Sequence, residues 1–403
     1  MLRFKPHKVI FIGFKNTMNK RRIRALEKFL KIRYKGKYNP HIEYISDIFS
    51  YDLDGIVATL EKIVEENEDV YFDITGGKEI TLVAAGIVSE RKNVSMFLYN
   101  VTTGTVFKLR GCENLPETKT PELSIRQCIV LNGGEIIRDR ASKYDWDFHT
   151  GFRKDIEDMW DICKKDPWSW NEQTSAFANF AKYGSVTRDF VITADLKYLS
   201  RKKFESGINK YIVKDLLDVN LISDFYISNL DTISFKVKNE QVYKCLTKAG
   251  DILELYTYIV LKEIQEENPG LVDDVDVGVS VDWDGKIENN TNSAETSNEI
   301  DVILMCDQVP VFISCKNGAV KKDALYELNT VAQHFGNKYN KRILIAACGG
   351  KFLNDEAYLF RRADDMGIIP IGMKHLQAKE YFKNKLIKVM SFSQDANNIK
   401  EKP

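Results

Sequence analysis

The chain has 403 residues, enough for two or three domains that each bury their own hydrophobic core. Its 58 basic and 58 acidic side chains balance, which excludes a chain that binds nucleic acid constitutively through overall positive charge. Seven cysteines without a C-x-x-C pair and five histidines without zinc spacing indicate neither a disulfide framework nor a structural zinc site. With no apolar run that could span a bilayer and no secretory leader, we expect a cytoplasmic protein.

The first predicted elements are two buried strands and a glycine-containing turn. Residues 8–13 and 70–74 are continuous apolar runs, typical of strands buried on both faces. The second run leads into Thr75-Gly76-Gly77-Lys78 and a predicted helix from Glu79 to Arg91. Glycines at such a turn let the backbone approach a ligand, and the free amides of a helix start favour anions. The motif predicts either a phosphate site or a plain tight βα turn.

The two turns together carry a family resemblance. The strand ending in Asp-Ile-Thr-Gly-Gly-Lys and the segment Gly13–Thr17 after the first strand resemble the CARF domain, the CRISPR-associated Rossmann-fold sensor of cyclic oligoadenylates. The resemblance covers residues 1–150 and implies a homodimer whose two CARF domains enclose cyclic tetra-adenylate. It implies ligand contacts by Lys15, Asn16, Thr17, Thr75, Gly76, Gly77, Lys78, Thr102 and Thr103.

Residues 151–245 are predicted to form a connector, with a winged-helix-like character. Residues 215–218 and 222–225 suggest short helices, and residues 232–237 with 242–246 suggest a two-stranded hairpin. Helices followed by a two-stranded wing resemble a winged-helix module. We interpret it as a connector between domains, and the alternative is a reader of duplex DNA.

The most informative segment is a predicted hairpin between residues 299 and 316. An acidic strand containing Asp301 is followed by a turn and by a strand ending in Ser314-Cys315-Lys316. Side chains two apart face the same side of a strand, so Ser314 and Lys316 project together, and a tight hairpin brings Asp301 across to meet them. Carboxylates bind the hard cations that assist phosphodiester cleavage, and a lysine beside them can position or deprotonate water or stabilise developing charge. The alternative is a structural hairpin with charged ends.

The elements around this hairpin give an α/β order. A helix predicted to open at residue 249 places Glu254 in its first turn as a second carboxylate. After the hairpin come a predicted helix over residues 323–332 and a buried strand over residues 341–348. Helix, acidic strand, lysine strand, helix and strand indicate an α/β domain.

That order resembles the PD-(D/E)xK nuclease superfamily over residues 246–403. The resemblance implies a restriction-endonuclease-like domain in which Glu254, Asp301, Ser314 and Lys316 are catalytic. It also implies that Glu254 and Asp301, completed by the Cys315 carbonyl, hold Mn²⁺ or Mg²⁺. The sequence departs from the family at Ser314, where an acidic residue is usual, and a serine hydroxyl is a weaker ligand.

Together the two resemblances predict an α/β chain: a Rossmann-like CARF domain, a connector and a nuclease domain. This resembles the ancillary effectors of type III CRISPR systems, which cut nucleic acid after a cyclic oligoadenylate binds. Single-stranded DNA, single-stranded RNA and supercoiled plasmid all stay open as substrates. One alternative is a ligand-responsive transcription regulator that has lost catalysis through Ser314. Another is a CARF domain that degrades its own ligand.

Overall fold

The computed structural model describes residues 3–14, 18–46, 52–101, 103–117, 121–137, 150–248, 250–285, 297–318, 320–336, 338–347 and 353–391. The predicted α/β fold class is confirmed, since helices alternate with strands along most of this length. None of the described helices is long and apolar enough to cross a membrane.

The N-terminal part alternates strands and helices: β1 (Lys8–Ile12), α1 (Lys20–Tyr34), β2 (His41–Ile45), α2 (Leu53–Glu65), β3 (Tyr71–Asp73), α3 (Glu79–Lys92), β4 (Ser95–Asn100) and β5 (Thr105–Arg110). β1 and β2 pair in parallel, as do β3 and β4, while β5 is antiparallel to β4. The apolar faces of α2 and α3 form a core around Ile56, Leu60, Ala84 and Val88. β1 is half-buried, not buried on both faces as predicted, because among the described strands it pairs only with β2.

The next two elements, α4 (Ile125–Leu131) and β6 (Glu135–Ile136), are placed with the C-terminal part of the chain. β6 pairs with a strand of the C-terminal sheet, and Ile129 of α4 is fully buried in the core on one face of that sheet. The division into residues 1–150, 151–245 and 246–403 remains a prediction. The fold nevertheless shows that α4 and β6, which belong to residues 1–150, pack with the sheet formed by residues 246–403.

The middle part contains the helices and strands α5 (Thr150–Cys163), α6 (Pro167–Tyr183), β7 (Ser185–Val186), β8 (Val191–Asp195), α7 (Leu196–Arg201), α8 (Lys210–Asp218), β9 (Ile222–Ile227), β10 (Thr232–Val237) and α9 (Glu240–Leu246). Its sheet has four strands in the order β7-β8-β10-β9, where a two-stranded wing was predicted.

Two local predictions in the middle part are wrong. Residues 222–225 form a strand, not a helix, because they pair antiparallel with β10. Residues 242–246 form a helix, not a strand, because the side chain of Asn239 accepts a hydrogen bond from the Val242 amide and starts a helix there. The hairpin therefore lies between β9 and β10.

The C-terminal part comprises α10 (Asp251–Glu267), β11 (Asp274–Asp282), β12 (Ser297–Cys306), β13 (Val309–Asn317), α11 (Lys322–Phe335), β14 (Lys341–Ala347), α12 (Leu353–Asp365), β15 (Ile369–Gly372), α13 (Met373–Leu376) and α14 (Lys379–Met390). The six-stranded sheet runs in the order β15-β14-β13-β12-β11-β6. Both of its faces are covered. α10 and α14 pack on one face, together with the middle part, and α1, α4, α11 and α12 pack on the other.

Candidate active site

The predicted hairpin between β12 and β13 forms and brings three of the predicted site residues together. The ladder pairs Cys306 with Val309 at the turn and ends with Val302 opposite Ile313. One step further along this register, Asp301 faces Ser314. Oδ2 of Asp301 accepts a hydrogen bond from Oγ of Ser314 at 3.1 Å and lies 2.9 Å from Nζ of Lys316.

A backbone amide completes the surroundings of the Asp301 carboxylate. The N–H of Cys315 donates to the same oxygen, Oδ2, at 2.7 Å, so three donors converge on it. The Asp301 side chain is only 15% exposed. A carboxylate held by several donors has a fixed orientation, because each hydrogen bond restrains the same oxygen. The arrangement presents a fixed negative charge at the end of the hairpin.

Lys316 is protonated in this arrangement. Burial lowers the pKa of its ammonium, but the charge of Asp301 and the hydrogen bond to it outweigh that effect, and the pKa is raised above its ordinary value. Lys316 is therefore a cation at neutral pH. Of the roles expected for it from the sequence, the arrangement favours charge stabilisation and hydrogen-bond donation over deprotonation of water.

Glu254 lines the same cavity as the hairpin residues. It lies in the first turn of α10, where a carboxylate is favoured by the helix dipole, and Gly250 precedes this helix with a φ of 96°. The cavity has a volume of about 260 Å³. It is lined by Lys248, Asp251, Glu254, Glu299, Ile300, Asp301, Phe312, Ile313, Ser314, Lys316, Glu327, Leu328 and Val331.

Four charged residues of this cavity, Glu299 among them, were not predicted as catalytic or metal-binding residues. Lys248 and Asp251 lie 3.1 Å apart, between Nζ and Oδ1, and flank the start of α10. Glu327 comes from α11 across the cavity. The proximity of Lys248 and Asp251 to Glu254 in sequence was an available signal, whereas Glu327 carried none because only the packing of α11 brings it here.

The donor chemistry of the cavity fits a divalent cation, although no closed cage is present. Glu254 and Asp301 turn carboxylates to one cavity, and Mg²⁺ is commonly held by one or two carboxylates with water and phosphate oxygens in its other positions. Among the residues that the structure describes, no group of three or more His, Cys, Asp or Glu side chains could hold a metal ion. The residues thus fit a cation that two carboxylates hold and that solvent and substrate complete.

The Cys315 side chain points away from this cavity. It is 5% exposed, packs in the core on the opposite face of the sheet and lies 3.7 Å from Oγ1 of Thr257. Burial raises the pKa of the thiol well above its ordinary value. Cys315 is therefore a buried strand residue, and any contribution it makes to metal binding must come from its backbone.

The Thr75-Gly76-Gly77-Lys78 turn lies between β3 and α3, as predicted. Thr75 is held by hydrogen bonds to two residues. Its amide and its hydroxyl both donate to Oδ1 of Asp73, the amide at 2.9 Å, and its Oγ1 accepts from the Tyr99 amide at 2.9 Å. Gly77 has a φ of 140°, a conformation that side-chain-bearing residues rarely adopt. Nζ of Lys78 lies 4.5 Å from the centre of the Phe14 ring. The turn therefore exposes its glycine backbone and the Lys78 ammonium, and the hydrogen bonds of Thr75 hold it in place.

The remaining predicted ligand residues are placed only in part. The Thr103 amide donates to Oδ1 of Asn100 at 3.3 Å, in the turn between β4 and β5. Lys15, Asn16, Thr17 and Thr102 lie outside the described residues.

A second cavity of about 190 Å³ adjoins the Thr75 turn. It is lined by Arg3, Phe4, Asp73, Thr75, Phe97, Tyr99, Val106, Pro121 and Gln308. Gln308 comes from the turn between β12 and β13, so a residue of the C-terminal hairpin reaches the N-terminal part. The sequence contained no signal for this contact, which depends on how the two parts pack.

This chain is similar to known proteins both in the sequence of its C-terminal part and in its fold. Residues 238–389 match the family model described as "Card1-like, endonuclease domain". The fold is similar to the crystal structure of protein VC1899 from Vibrio cholerae, with a TM-score of 0.70 and 16% identity, covering 96% of this chain and 92% of that one. It is also similar to Can2 from Sulfobacillus thermosulfidooxidans in complex with cyclic tetra-adenylate, with a TM-score of 0.63 and 14% identity, covering 96% and 91%.

No curated protein sequence matches this chain. The match to the family model contains Glu254, Asp301, Ser314 and Lys316, so it covers the whole candidate active site. The predicted resemblance to CARF-domain nucleases of type III CRISPR systems is confirmed. Residues 238–389 form a Card1-like endonuclease domain.

Proposed function

We propose that this chain is a metal-dependent nuclease that cyclic tetra-adenylate activates, acting in type III CRISPR antiviral defence. The carrying observation is the Asp301–Lys316 pair, fixed at 2.9 Å within the segment that matches the endonuclease family. The similarity in fold to Can2, solved with cyclic tetra-adenylate, supports that ligand. The endonuclease match favours catalysis over the alternative of a transcription regulator, although Ser314 replaces the usual acidic residue.

In this proposal each residue of the hairpin has a chemical task. Lys316, held as a cation, donates to a non-bridging oxygen of the scissile phosphate and stabilises the charge that develops there. Asp301 and Glu254 hold the cation, and Ser314 and the Cys315 amide fix the orientation of Asp301. A bound Mn²⁺ or Mg²⁺ supplies charge neutralisation and a water of lowered pKa.

The activating ligand is assigned to the Thr75–Lys78 turn. Lys78, the exposed glycine backbone and the start of α3 provide a cation and free amides suited to ring phosphates. Because cyclic tetra-adenylate is a symmetric ring, we propose a homodimer in which two such turns face it. Gating then requires that the ligand bind the active arrangement more tightly than the inactive one. A cytoplasmic location remains a prediction from the sequence.

The test is cleavage of labelled single-stranded DNA, single-stranded RNA and supercoiled plasmid with Mn²⁺, with and without cyclic tetra-adenylate. The wild-type chain is compared with Asp301→Asn and with Asp323→Asn, a matched change on the exposed start of α11. Cleavage that requires the ligand and Asp301, but not Asp323, supports the proposal and identifies the substrate. If the ligand binds and none of the three substrates is cut, the proposed activity is wrong and the regulator becomes the better hypothesis.

A further inference from the structure

The helix α1 belongs to the N-terminal part by sequence but packs against the C-terminal part. Its residues Phe29 and Leu30 are 1% and 8% exposed. They lie in one core cluster with Val281 of β11 and Phe335 of α11, while the core around α2 and α3 is separate. The helix α1, which follows the predicted Gly13–Thr17 ligand segment, therefore packs on the six-stranded sheet of the C-terminal part.

This shared core reaches the candidate active site directly. Phe312, Leu328 and Val331 belong to the same cluster as Phe29 and Leu30, and all three also line the cavity around Asp301. Closely packed side chains transmit displacement because interiors contain little empty space to absorb it. A shift of α1 must therefore be accommodated by residues that shape the active cavity.

Polar contacts fix the position of α1 along the sheet. Nη2 of Arg21 donates to the Trp283 carbonyl and lies 3.3 Å from Nε2 of His334. A guanidinium has only donors, so this contact is a hydrogen bond when Nε2 of His334 is unprotonated, and burial lowers the pKa of His334. The Trp283 and His334 rings are 4.1 Å apart, and His334 is in the last turn of α11, the helix that contributes Glu327 and Leu328 to the active cavity.

The same N-terminal end of α1, which carries Arg21 in its first turn, is joined to the Thr75–Lys78 turn. Nζ of Lys78 lies over the Phe14 ring, and the carbonyl of Phe14 accepts a hydrogen bond from the Met18 amide at 2.9 Å. Asn19 then caps the helix by accepting from the Arg22 amide. Contacts between described residues thus run from Lys78 to the start of α1 and from Arg21 to α11.

We infer that α1 is the element that couples ligand binding at the Thr75–Lys78 turn to the active cavity, with Arg21 as the positioning residue. This inference rests on the proposed function. A ligand that binds Lys78 changes the contact between Lys78 and Phe14 and so shifts the preferred position of α1. Arg21 moves with α1 and thereby changes the positions of Trp283 and His334. Such coupling is a free-energy difference between two arrangements and corresponds to activation factors of about 5–150.

The test compares Arg21→Ala with Arg24→Ala, another exposed arginine of the same helix for which the structure shows no side-chain partner among the described residues. His334→Ala, which removes the acceptor from the other side, is a second variant. For each protein the ratio of cleavage rates with and without cyclic tetra-adenylate is measured, and ligand affinity is measured by calorimetry. We expect Arg21→Ala and His334→Ala to bind the ligand as the wild type does but to lose about fivefold or more of the activation ratio. Arg24→Ala should keep it.

Two results overturn the inference alone: an unchanged activation ratio in Arg21→Ala and His334→Ala, or an equal loss in Arg24→Ala. A wild-type chain that cleaves equally with and without the ligand overturns the proposed gating, and the inference with it. Because ligand affinity is measured separately, loss of coupling is distinguished from loss of binding.

Discussion

Oδ2 of Asp301 lies 2.9 Å from Nζ of Lys316 and 2.7 Å from the Cys315 amide, so one carboxylate oxygen accepts hydrogen bonds from both the Lys316 ammonium and the backbone near the end of β13. The β12–β13 ladder stops one step before these residues, and the carboxylate there satisfies an amide beyond the last ladder pair. The pair is thus part of the sheet as well as of the site. Substitutions that keep shape while removing charge are the informative ones.

Asp301→Asn should keep the fold and reduce cleavage. Asparagine has the shape of aspartate and retains one acceptor oxygen, but it removes the charge that holds Lys316 and a cation. We expect a loss of about a hundredfold or more in cleavage rate, as for removal of a single electrostatic group in an active site. Cleavage assays beside Asp323→Asn, with thermal unfolding as the folding control, check this, and near-wild-type cleavage would remove Asp301 from the site.

Lys316→Met tests the cation in isolation. Methionine preserves much of the aliphatic length but cannot donate to phosphate oxygens. We expect a similar loss of about a hundredfold in cleavage rate, with ligand affinity unchanged. Lys338→Met, at an exposed lysine away from the cavity, is the matched control. Equal rates for both lysine variants would contradict the role of Lys316.

Ser314→Glu should make the site depend more strongly on metal. The hydroxyl of Ser314 lies 3.1 Å from Asp301 and is 8% exposed, so a carboxylate here would repel Asp301 until a cation bridges them. We expect a lower melting temperature without metal and a larger rise on adding Mn²⁺, because a ligand that binds only the folded state stabilises it. Ser314→Gln is the neutral control, and equal Mn²⁺ shifts in both variants would exclude this position from metal binding.

Lys78→Met should weaken binding of cyclic tetra-adenylate. The lysine is placed over Phe14 at the start of α3, and its loss removes a charge-assisted contact to a ring phosphate. We expect an affinity lower by about tenfold or more, since hydrogen bonds to charged groups contribute about 1.5–3 kcal/mol. Calorimetry beside Lys62→Met, an exposed lysine of α2, measures the effect. Unchanged affinity would move the ligand away from this turn.

The acid stability of the protein should depend on Glu135. Its carboxylate is 6% exposed and lies 2.6 Å from Nζ of Lys28 in α1 and 3.2 Å from Nε of Arg126 in α4. Burial raises the pKa of Glu135, but the hydrogen bonds from these two cations outweigh burial, and the pKa is lowered from its ordinary value of 4.5.

The stabilisation from a lowered carboxyl pKa is fully present above pH 4.5 and is lost as the pH falls through the lowered value of the folded state. We therefore expect Glu135→Gln to be less stable at neutral pH, by about 1 kcal/mol or more. Its stability should also fall less steeply than that of the wild type below pH 4.5. Unfolding titrations in urea at several pH values measure this, with the exposed Glu66→Gln as control. Parallel pH profiles would contradict the proposed role.

The sequence determined the features that depend on neighbours along the chain. Alternation of side chains on β13 placed Ser314 and Lys316 on one face, and the short turn brought Asp301 to them, because a two-residue connection allows one antiparallel register. The helix after Thr75–Lys78 was likewise predictable, since its apolar pattern and its glycines are local signals. In the middle part, the residues of β9 and α9 were mispredicted because strand pairing with β10 and the Asn239 cap outweighed weak local preferences.

Tertiary structure alone decided which parts of the chain share a core. β6 and α4 complete the C-terminal sheet, Gln308 reaches the Thr75 cavity, and α1 lies against β11 and α11. None of these contacts has a signature in the sequence, because an apolar helix face shows that a helix is buried but not which partner buries it. The juxtaposition of Asp301, Ser314 and Lys316 was therefore predictable from the sequence, whereas the connection between the two cavities depended on packing between segments far apart in sequence.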